Sequence, residues 1–257
     1  MVSFDLCIIA SRRPDLLATT LESFCARVFS HLVPERVFVN LDPIFGTEDD
    51  HAAVISVIRQ HFPAATIFEP ETPGFGAAVK RAWSATQADY VFHLEDDWVA
   101  KADVGEEVFL PFGDSRIRQV SFHRNENWDL RKKGHFHQKR DHIRLFGVRL
   151  PFYRTIPQFT TSPSILNGEF ARNAAFLMDP SRDPEKQFYS AVNEELERFA
   201  KPFRNYVFSP SGVPVIRDIG IEWREARGLR KTIKNATSTW EETPQGQSGE
   251  PGLTGKP

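Results

Sequence analysis

The sequence predicts an α/β fold, a mostly parallel sheet with helices on both faces followed by an irregular second half. Three observations predict it. Short apolar runs alternate with stretches of helical period over residues 4–98, and each run ends in a turn or in polar and charged residues. The fourth run, Tyr90-Val91-Phe92-His93-Leu94, ends abruptly in three carboxylates, Glu95-Asp96-Asp97, as a buried strand does when it delivers charge to a sheet edge. With 257 residues, 40% hydrophobic and 26% charged, the chain is long enough for a sizeable core.

Taken in order, residues 4–10 form a β-type run, which Ser11-Arg12-Arg13-Pro14 breaks. Proline suits the first turn of a helix, and Leu16, Leu17, Thr20, Leu21 and Phe24 recur at helical spacing, so residues 14–29 read as an amphipathic helix. A second unit follows. Residues 36–41 are a strand ending at Asp42-Pro43, and residues 49–61 a helix whose apolar face includes Val54, Val57 and Ile58. Residues 65–68 make a third strand, and Gly74-Phe75-Gly76 opens a helix that leads into the strand bearing the acids. Right-handed crossovers make these strands parallel, and ligands of such sheets sit beyond the strands' carboxyl ends. The Arg12-Arg13 loop, Asp42 and the Glu95 to Asp97 cluster all fall at that edge.

Three adjacent acids repel one another and call for a positive partner. A hard divalent cation takes oxygen ligands and commonly binds through one or two carboxylates plus a substrate's phosphates. A solvated acidic turn is the alternative.

The order of elements, Phe-Asp-Leu-Cys-Ile-Ile-Ala-Ser-Arg-Arg-Pro, then Val-Asn-Leu-Asp, then Pro-Gly-Phe-Gly-Ala-Ala-Val-Lys-Arg-Ala-Trp ahead of His-Leu-Glu-Asp-Asp, resembles the nucleotide-binding half of a GT-A glycosyltransferase of the family 2 type. That family has a Rossmann-like fold and usually reads Asp-x-Asp, the DXD motif, where this chain has Glu95-Asp96-Asp97. The variant is similar to that of N-acetylglucosaminyltransferase I type enzymes, which implies that Asp97 holds Mn²⁺ or Mg²⁺ while Glu95 and Asp96 face ribose, sugar or metal-bound water. The resemblance also implies that Asp42 accepts the imide N–H of a uracil or thymine base; a turn residue before Pro43 is the other reading. Arg12 or Arg13 lies against base or phosphates, or is solvated, and Lys80 falls where the family carries a ribose- or phosphate-contacting residue.

In the second half, residues 121–128 look like the segment after the metal motif, and residues 160–170 like a substrate-lining segment. Residues 184–199 read as a helix whose Glu194 and Glu195 match the family's acidic pair, implying that one of them deprotonates the acceptor hydroxyl, with Glu185 in reserve. Asp218 stands where the family often has a histidine completing the metal shell. Residues 224–234 read as a basic helical or mobile stretch.

The resemblance therefore implies a metal-dependent transferase moving a sugar from a UDP- or dTDP-linked donor to a hydroxyl, with inversion. A nucleotidyltransferase of related architecture and a silent sugar- or nucleic-acid-binding module are the rivals. The first should show a Gly-rich basic loop after the first strand, and Ser11-Arg12-Arg13-Pro14 is not one.

A single domain is expected over residues 1–240, with a nucleotide-sugar half at 1–98, an acceptor half at 99–240 and a disordered Pro/Gly-rich tail at 241–257. No apolar run approaches the roughly 18 to 20 residues of a membrane span, and no signal peptide pattern begins the chain, so a cytoplasmic location is expected. Cys7 and Cys25 read as small hydrophobes rather than a disulfide framework. Net charge is −2, yet residues 116–154 hold 11 Lys or Arg against three acids, with four histidines. Such a stretch grips a donor diphosphate, attracts a polyanionic acceptor such as DNA, or is simply solvated.

Overall fold

In the computed structural model, which describes residues 2–124, 130–145, 148–234 and 237–242, every residue of β1 (Phe4–Ser11) is buried. Its alternate side chains enter different cores, Leu6, Ile8 and Ala10 one, Cys7 and Ile9 the other. Apolar residues on both faces are what a strand covered by helices on each side requires.

The first half follows the expected alternation: α1 (Pro14–Phe24), continued by a π-helical turn, then β2 (Arg36–Asp42), α2 (Glu48–His61), β3 (Thr66–Phe68), α3 (Phe75–Ser84) and β4 (Tyr90–Glu95). Thr47 and Asp50 cap α2 reciprocally, which fixes its start. Side chains of α1 and α2 join Leu6 and Ile8 in one core, while those of α3 join Cys7 and Ile9 in the other.

The second half contributes β5 (Trp98–Ala100), β6 (Ile117–Phe122), α4 (Leu130–Lys133), β7 (Gln138–Leu145), β8 (Val148–Pro157), β9 (Ser164–Asn167), α5 (Gly168–Leu177), α6 (Glu194–Ala200), β10 (Arg204–Phe208), β11 (Ile216–Asp218), α7 (Gly220–Ala226), β12 (Leu229–Lys234) and β13 (Thr237–Glu242). The main sheet has seven strands in the order β10-β6-β9-β4-β1-β2-β3. Its neighbours are parallel except at β9, which runs antiparallel to both β4 and β6. Strands from both halves of the chain thus share one sheet.

Phe92 of β4 is fully buried, its ring centroid 5.3 Å from Phe29, 5.5 Å from Phe122 and 6.2 Å from Phe4 and Phe24. Burying one such ring contributes up to about 3 kcal/mol, so β4 is firmly held just before the acids it carries.

Several expectations need correction. The single helix over 184–199 is broken: a short 3₁₀ turn at Lys186–Phe188 is followed by Ser190 and Ala191 at φ 64° and 55°, and α6 starts only at Glu194. Left-handed backbone at two non-glycine residues is incompatible with a continuing helix. Residues 224–234 are not one mobile stretch, since α7 closes at Ala226 and β12 pairs antiparallel with β13. That pairing carries ordered strand to Glu242, two residues into the expected tail; residues 243–257 and 125–129 lie outside the described residues. No helix among the described residues is long and apolar enough to cross a membrane.

Candidate functional site

Parallel pairing of β2 and β4 with β1 brings their carboxyl ends to one edge, where Ser11 is in register with Asp42 and Ile9 with Glu95. A cleft of about 370 Å³ opens there. Its lining includes Asp42, Glu95, Asp96, Asp97, Asp183, Glu185 and Asp218 among the acids, and Arg13, Arg124 and Arg224 among the cations.

Asp96 and Asp97 are both buried, at 2% and 6% exposure. The Asp96 carboxylate accepts hydrogen bonds from the Ser11 backbone N–H and hydroxyl, each at 2.9 Å, and from the Arg13 guanidinium. Arg13 also donates to Asp97 Oδ2 at 3.3 Å and lies over the rings of Phe45 and Trp223. Burial alone pulls the guanidinium down, but Asp96 and Asp97 more than reverse this and hold it above its ordinary value. Asp96 is therefore a buttress for the β1 loop. Thr20 of α1 pins the same turn, donating to the Asp96 carbonyl at 2.9 Å and accepting from the Trp98 N–H at 3.2 Å.

Asp97 is different. Burial, then the charges of Asp96, Glu95 and Asp218, lift its carboxyl to about 7 against the pull of Arg13. Arg224 of α7 reaches the same Oδ2 at 3.4 Å. Asp218 is brought close by the short β5–β11 pairing, in which it faces Trp98, and its Oδ1 accepts from the N–H groups of Gly220 and Ile221. Gly220 is required here, because a Cβ on it would lie 2.2 Å from Asp97 Oδ2. Asp97 and Asp218 offer only oxygens, and Asp97 stays harder to ionise than a free carboxyl even with Arg13 and Arg224 beside it, so the pair fits a hard divalent ion. Among the described residues no three His, Cys, Asp or Glu side chains are grouped to hold a metal by themselves. The protein's share of such a site would be one or two carboxylates, with a substrate's phosphates supplying the rest.

On the opposite side, Asp42 lines the cleft at the end of β2. Burial pushes its carboxyl up, while hydrogen bonds from the Gly74 N–H (3.0 Å) and the Asn40 amide (2.7 Å) pull it down. Gly74 thus serves Asp42, and Gly76 lets the Arg182 carbonyl approach where a Cβ would stand 2.2 Å from it. Glu185 lines the far wall; its Oε1 accepts from the Thr160 hydroxyl (2.5 Å) and the Thr161 N–H (2.8 Å) and hydroxyl (3.3 Å). Buried Asp183 caps this turn, accepting from the N–H groups of Glu185 and Lys186. Below Glu95, wholly buried His93 accepts from the Trp83 indole N–H at 3.0 Å, so its proton sits on Nε2, 3.9 Å from Glu95 Oε1. Burial holds this imidazole down at about 3, against the pull of Glu185 and the Thr161 backbone.

Five of the candidates, Asp42, Glu95, Asp96, Asp97 and Asp218, converge on the cleft, and four do not line it. Arg12 pairs with Glu48 and donates to His51, so of the two adjacent arginines Arg13 is the one that lines the cleft. Lys80 donates to the carbonyls of Phe176 and Met178, tying α3 to the end of α5. Glu194 and Glu195 stand exposed in the first turn of α6, behind the Asn193 cap. The reason is the broken helix, which leaves Glu185 at the cleft and carries the acidic pair away. Asp183 was missed, although Asp followed by Pro is a helix-start signature that would have put Glu185 at the beginning of its turn. Phe45, which lies against Arg13 and lines the cleft, carried no sequence signal of that place.

No protein-family model and no curated protein matches the sequence. Solved structures do. The chain is 11% identical to the mannosyltransferase PcManGT of Pyrobaculum calidifontis, solved with GDP-Man and Mn²⁺, at a TM-score of 0.55 over 84% of this chain and 56% of that one. It is 13% identical to GalNAc-T7, solved with UDP, GalNAc and Mn²⁺, at 0.55 over 85% and 43%. For S. aureus TarS 1-349 in complex with UDP the values are 14%, 0.52, 84% and 60%. The chain thus spans less than two thirds of the length of each. On this likeness, the chain has the GT-A glycosyltransferase fold.

Proposed function

We propose that the chain is a metal-dependent glycosyltransferase that moves a sugar from a uridine or thymidine diphosphate donor to an acceptor hydroxyl, with inversion. The observation that carries the reading is the cleft itself: an excess of carboxylates at the carboxyl edge of β1, β2 and β4, with Asp97 lifted to about 7 beside Asp218. Such a site repels a diphosphate on its own and accepts one together with a divalent cation. Asp97 and Asp218 would hold that cation, which when bound neutralises charge on the leaving diphosphate.

Asp42, held by Asn40 and Gly74, receives the imide N–H of the base. Arg13, fixed by Asp96, and Arg224 bring positive charge to the phosphate end of the cleft. Glu185 takes the role first assigned to Glu194 or Glu195, removing the proton from the acceptor hydroxyl. The hydroxyl oxygen bonds to the anomeric carbon, the bond from that carbon to phosphate breaks, and the electron pair leaves with the nucleoside diphosphate. Thr160 and Thr161 orient this carboxylate through Oε1, leaving Oε2 with no hydrogen-bond partner among the described residues.

Calorimetric titration with UDP and with dTDP, with and without Mn²⁺, tests the donor site on the native chain and on Asp97→Ala. Metal-dependent binding that vanishes in the variant supports it; no binding of either nucleotide under any metal condition overturns it. For Glu185→Gln, turnover of a bound sugar nucleotide with water as acceptor falls by about 10²- to 10⁴-fold while UDP affinity is kept.

A further inference from the structure

A second cavity of about 180 Å³ adjoins the acidic cleft, and Arg124 and Ser162 line both. Its chemistry is the reverse of the first. Ser121, His123, Arg124, His137, Thr160 and Ser162 supply hydroxyls, imidazoles and a guanidinium, and no carboxylate is among its described lining. An acid-rich cleft suits a cation with its phosphates; a neighbour lined by donors and one fixed positive charge suits an oxyanion.

Both ends of the β7–β8 hairpin meet this cavity. His137, which immediately precedes β7, lines it and is fixed by donating its N–H to the Asn205 carbonyl at 2.9 Å. Gln158, just after β8, donates to the His137 carbonyl at 2.9 Å, and the chain runs on to Thr160 and Ser162 in the lining. Over residues 138–157 the hairpin has Lys139, Arg140, Arg144, Arg149 and Arg154 against Asp141. Lys139 and Arg149 are exposed, as are Phe152 at 66% and Tyr153 at 45%. Exposed rings set among cations are what single-stranded nucleic acid requires, with charge for the phosphates and flat faces on which bases stack. A polyanion without bases would gain nothing from the rings.

We propose that the second cavity and the β7–β8 hairpin form the acceptor site, and that the acceptor is a single-stranded nucleic acid. One phosphodiester group sits at Arg124 and the surrounding hydroxyls, with neighbouring nucleotides along the hairpin. Glu185, which accepts from the Thr160 that lines this cavity, then stands next to the bound strand, whose terminal, 2′- or base hydroxyl would be the acceptor. The inference rests on the transferase reading for the direction of chemistry, but its binding test stands apart.

The test is fluorescence anisotropy of a 5′-labelled 15-nucleotide single-stranded DNA with the full chain at several salt concentrations, with inorganic polyphosphate of similar charge as competitor. The oligonucleotide binds about tenfold or more tighter than polyphosphate, and Phe152→Ala weakens the oligonucleotide alone, by about fivefold or more. Replacing Lys139 and Arg149 by alanine lowers the slope of log affinity against log salt by about 1.4. UDP titration with Mn²⁺ on the same samples is unchanged by these substitutions. Intact UDP binding with no oligonucleotide binding overturns the acceptor proposal and spares the donor site. Equal binding of polyphosphate and oligonucleotide, insensitive to Phe152→Ala, also overturns it, as general polyanion attraction. Oligonucleotide binding without UDP binding upholds the nucleic-acid site and removes the transferase reading.

Discussion

Gly220→Ala inserts one methyl group against the carboxylate on which the donor site depends. The new Cβ would lie 2.2 Å from Asp97 Oδ2, 2.7 Å from its Cγ and 2.8 Å from Arg224 Nη1. Ordinary contact begins at 3.4 Å, so the carboxylate must retreat by about 1.2 Å. At 6% exposure, and held by Arg13 and Arg224, Asp97 can retreat only by giving up those pairs or turning into the cleft, and either displaces its oxygens. Misplacing a group by about 1 Å costs on the order of 10²-fold in a preorganised site, and Mn²⁺-dependent UDP affinity should fall by about that factor. Overpacking itself costs about 1 to 3 kcal/mol, and at roughly 2 to 4 °C per kcal/mol the thermal midpoint should fall by less than about 12 °C, leaving a folded protein to titrate. Gly113→Ala, where an added Cβ meets nothing within 4 Å, is the control. Calorimetry alongside thermal unfolding gives both readings. A folded Gly220→Ala protein that binds UDP and Mn²⁺ like the native chain would refute the assignment of the site to the Asp97 carboxylate.

Three further outcomes follow from the same geometry. Because the folded Asp97 carboxyl, at about 7, lies above its unfolded value near 3.8, ionisation weakens the fold progressively as pH rises between those values, and fully above the upper one. Asp97→Asn should therefore gain stability relative to native protein between pH 5 and pH 8, read from urea midpoints; an equal difference at both would count against the buried charge. His93 has the opposite sign: held at about 3 when folded, against 6.5 unfolded, it contributes stability that is lost as pH falls through that window. His93→Gln should remove up to about 1.4 kcal/mol of pH dependence per unit below that upper value, and an unchanged slope would show that His93 is not the group responsible. Lys80→Met should cost about 1.5 to 3 kcal/mol by deleting the ammonium bonds to the Phe176 and Met178 carbonyls, with UDP affinity intact. A tenfold loss of UDP affinity would return Lys80 to the donor site.

The first half was legible because β1, β2 and β4 are apolar on both faces and end in charge, a pattern few other environments produce. Asp42 and Glu95 to Asp97 were visible for the same reason, since parallel strands put their ends at one edge, whereas Asp218, on the antiparallel β5–β11 pair, was reached only through the family resemblance. What escaped was set by contacts remote in sequence. Strand β9 is four residues long and follows Pro163 within the stretch read as a substrate-lining segment, yet it sits inside the sheet between β4 and β6. The break before α6 rests on left-handed backbone at Ser190 and Ala191, with no glycine or asparagine there to announce it. That break moved Glu194 and Glu195 away and left Glu185 at the cleft. Between Arg12 and Arg13 the sequence offered no choice; partners on α2 and in the turn after β4 made it.

The central place of β9 also has a consequence for how the chain is made. When β4 leaves the ribosome, the flank that β9 will cover is an unpaired strand edge, and β9 lies roughly 70 residues further on. At about 5 to 20 residues per second, that edge waits between roughly 4 and 14 s for its partner. A nascent chain stalled after residue 98, or a fragment cut there, would carry a core strand with one side open, the template on which chains of this kind stick to one another. Synthesis beyond Asn167 is the step that closes it.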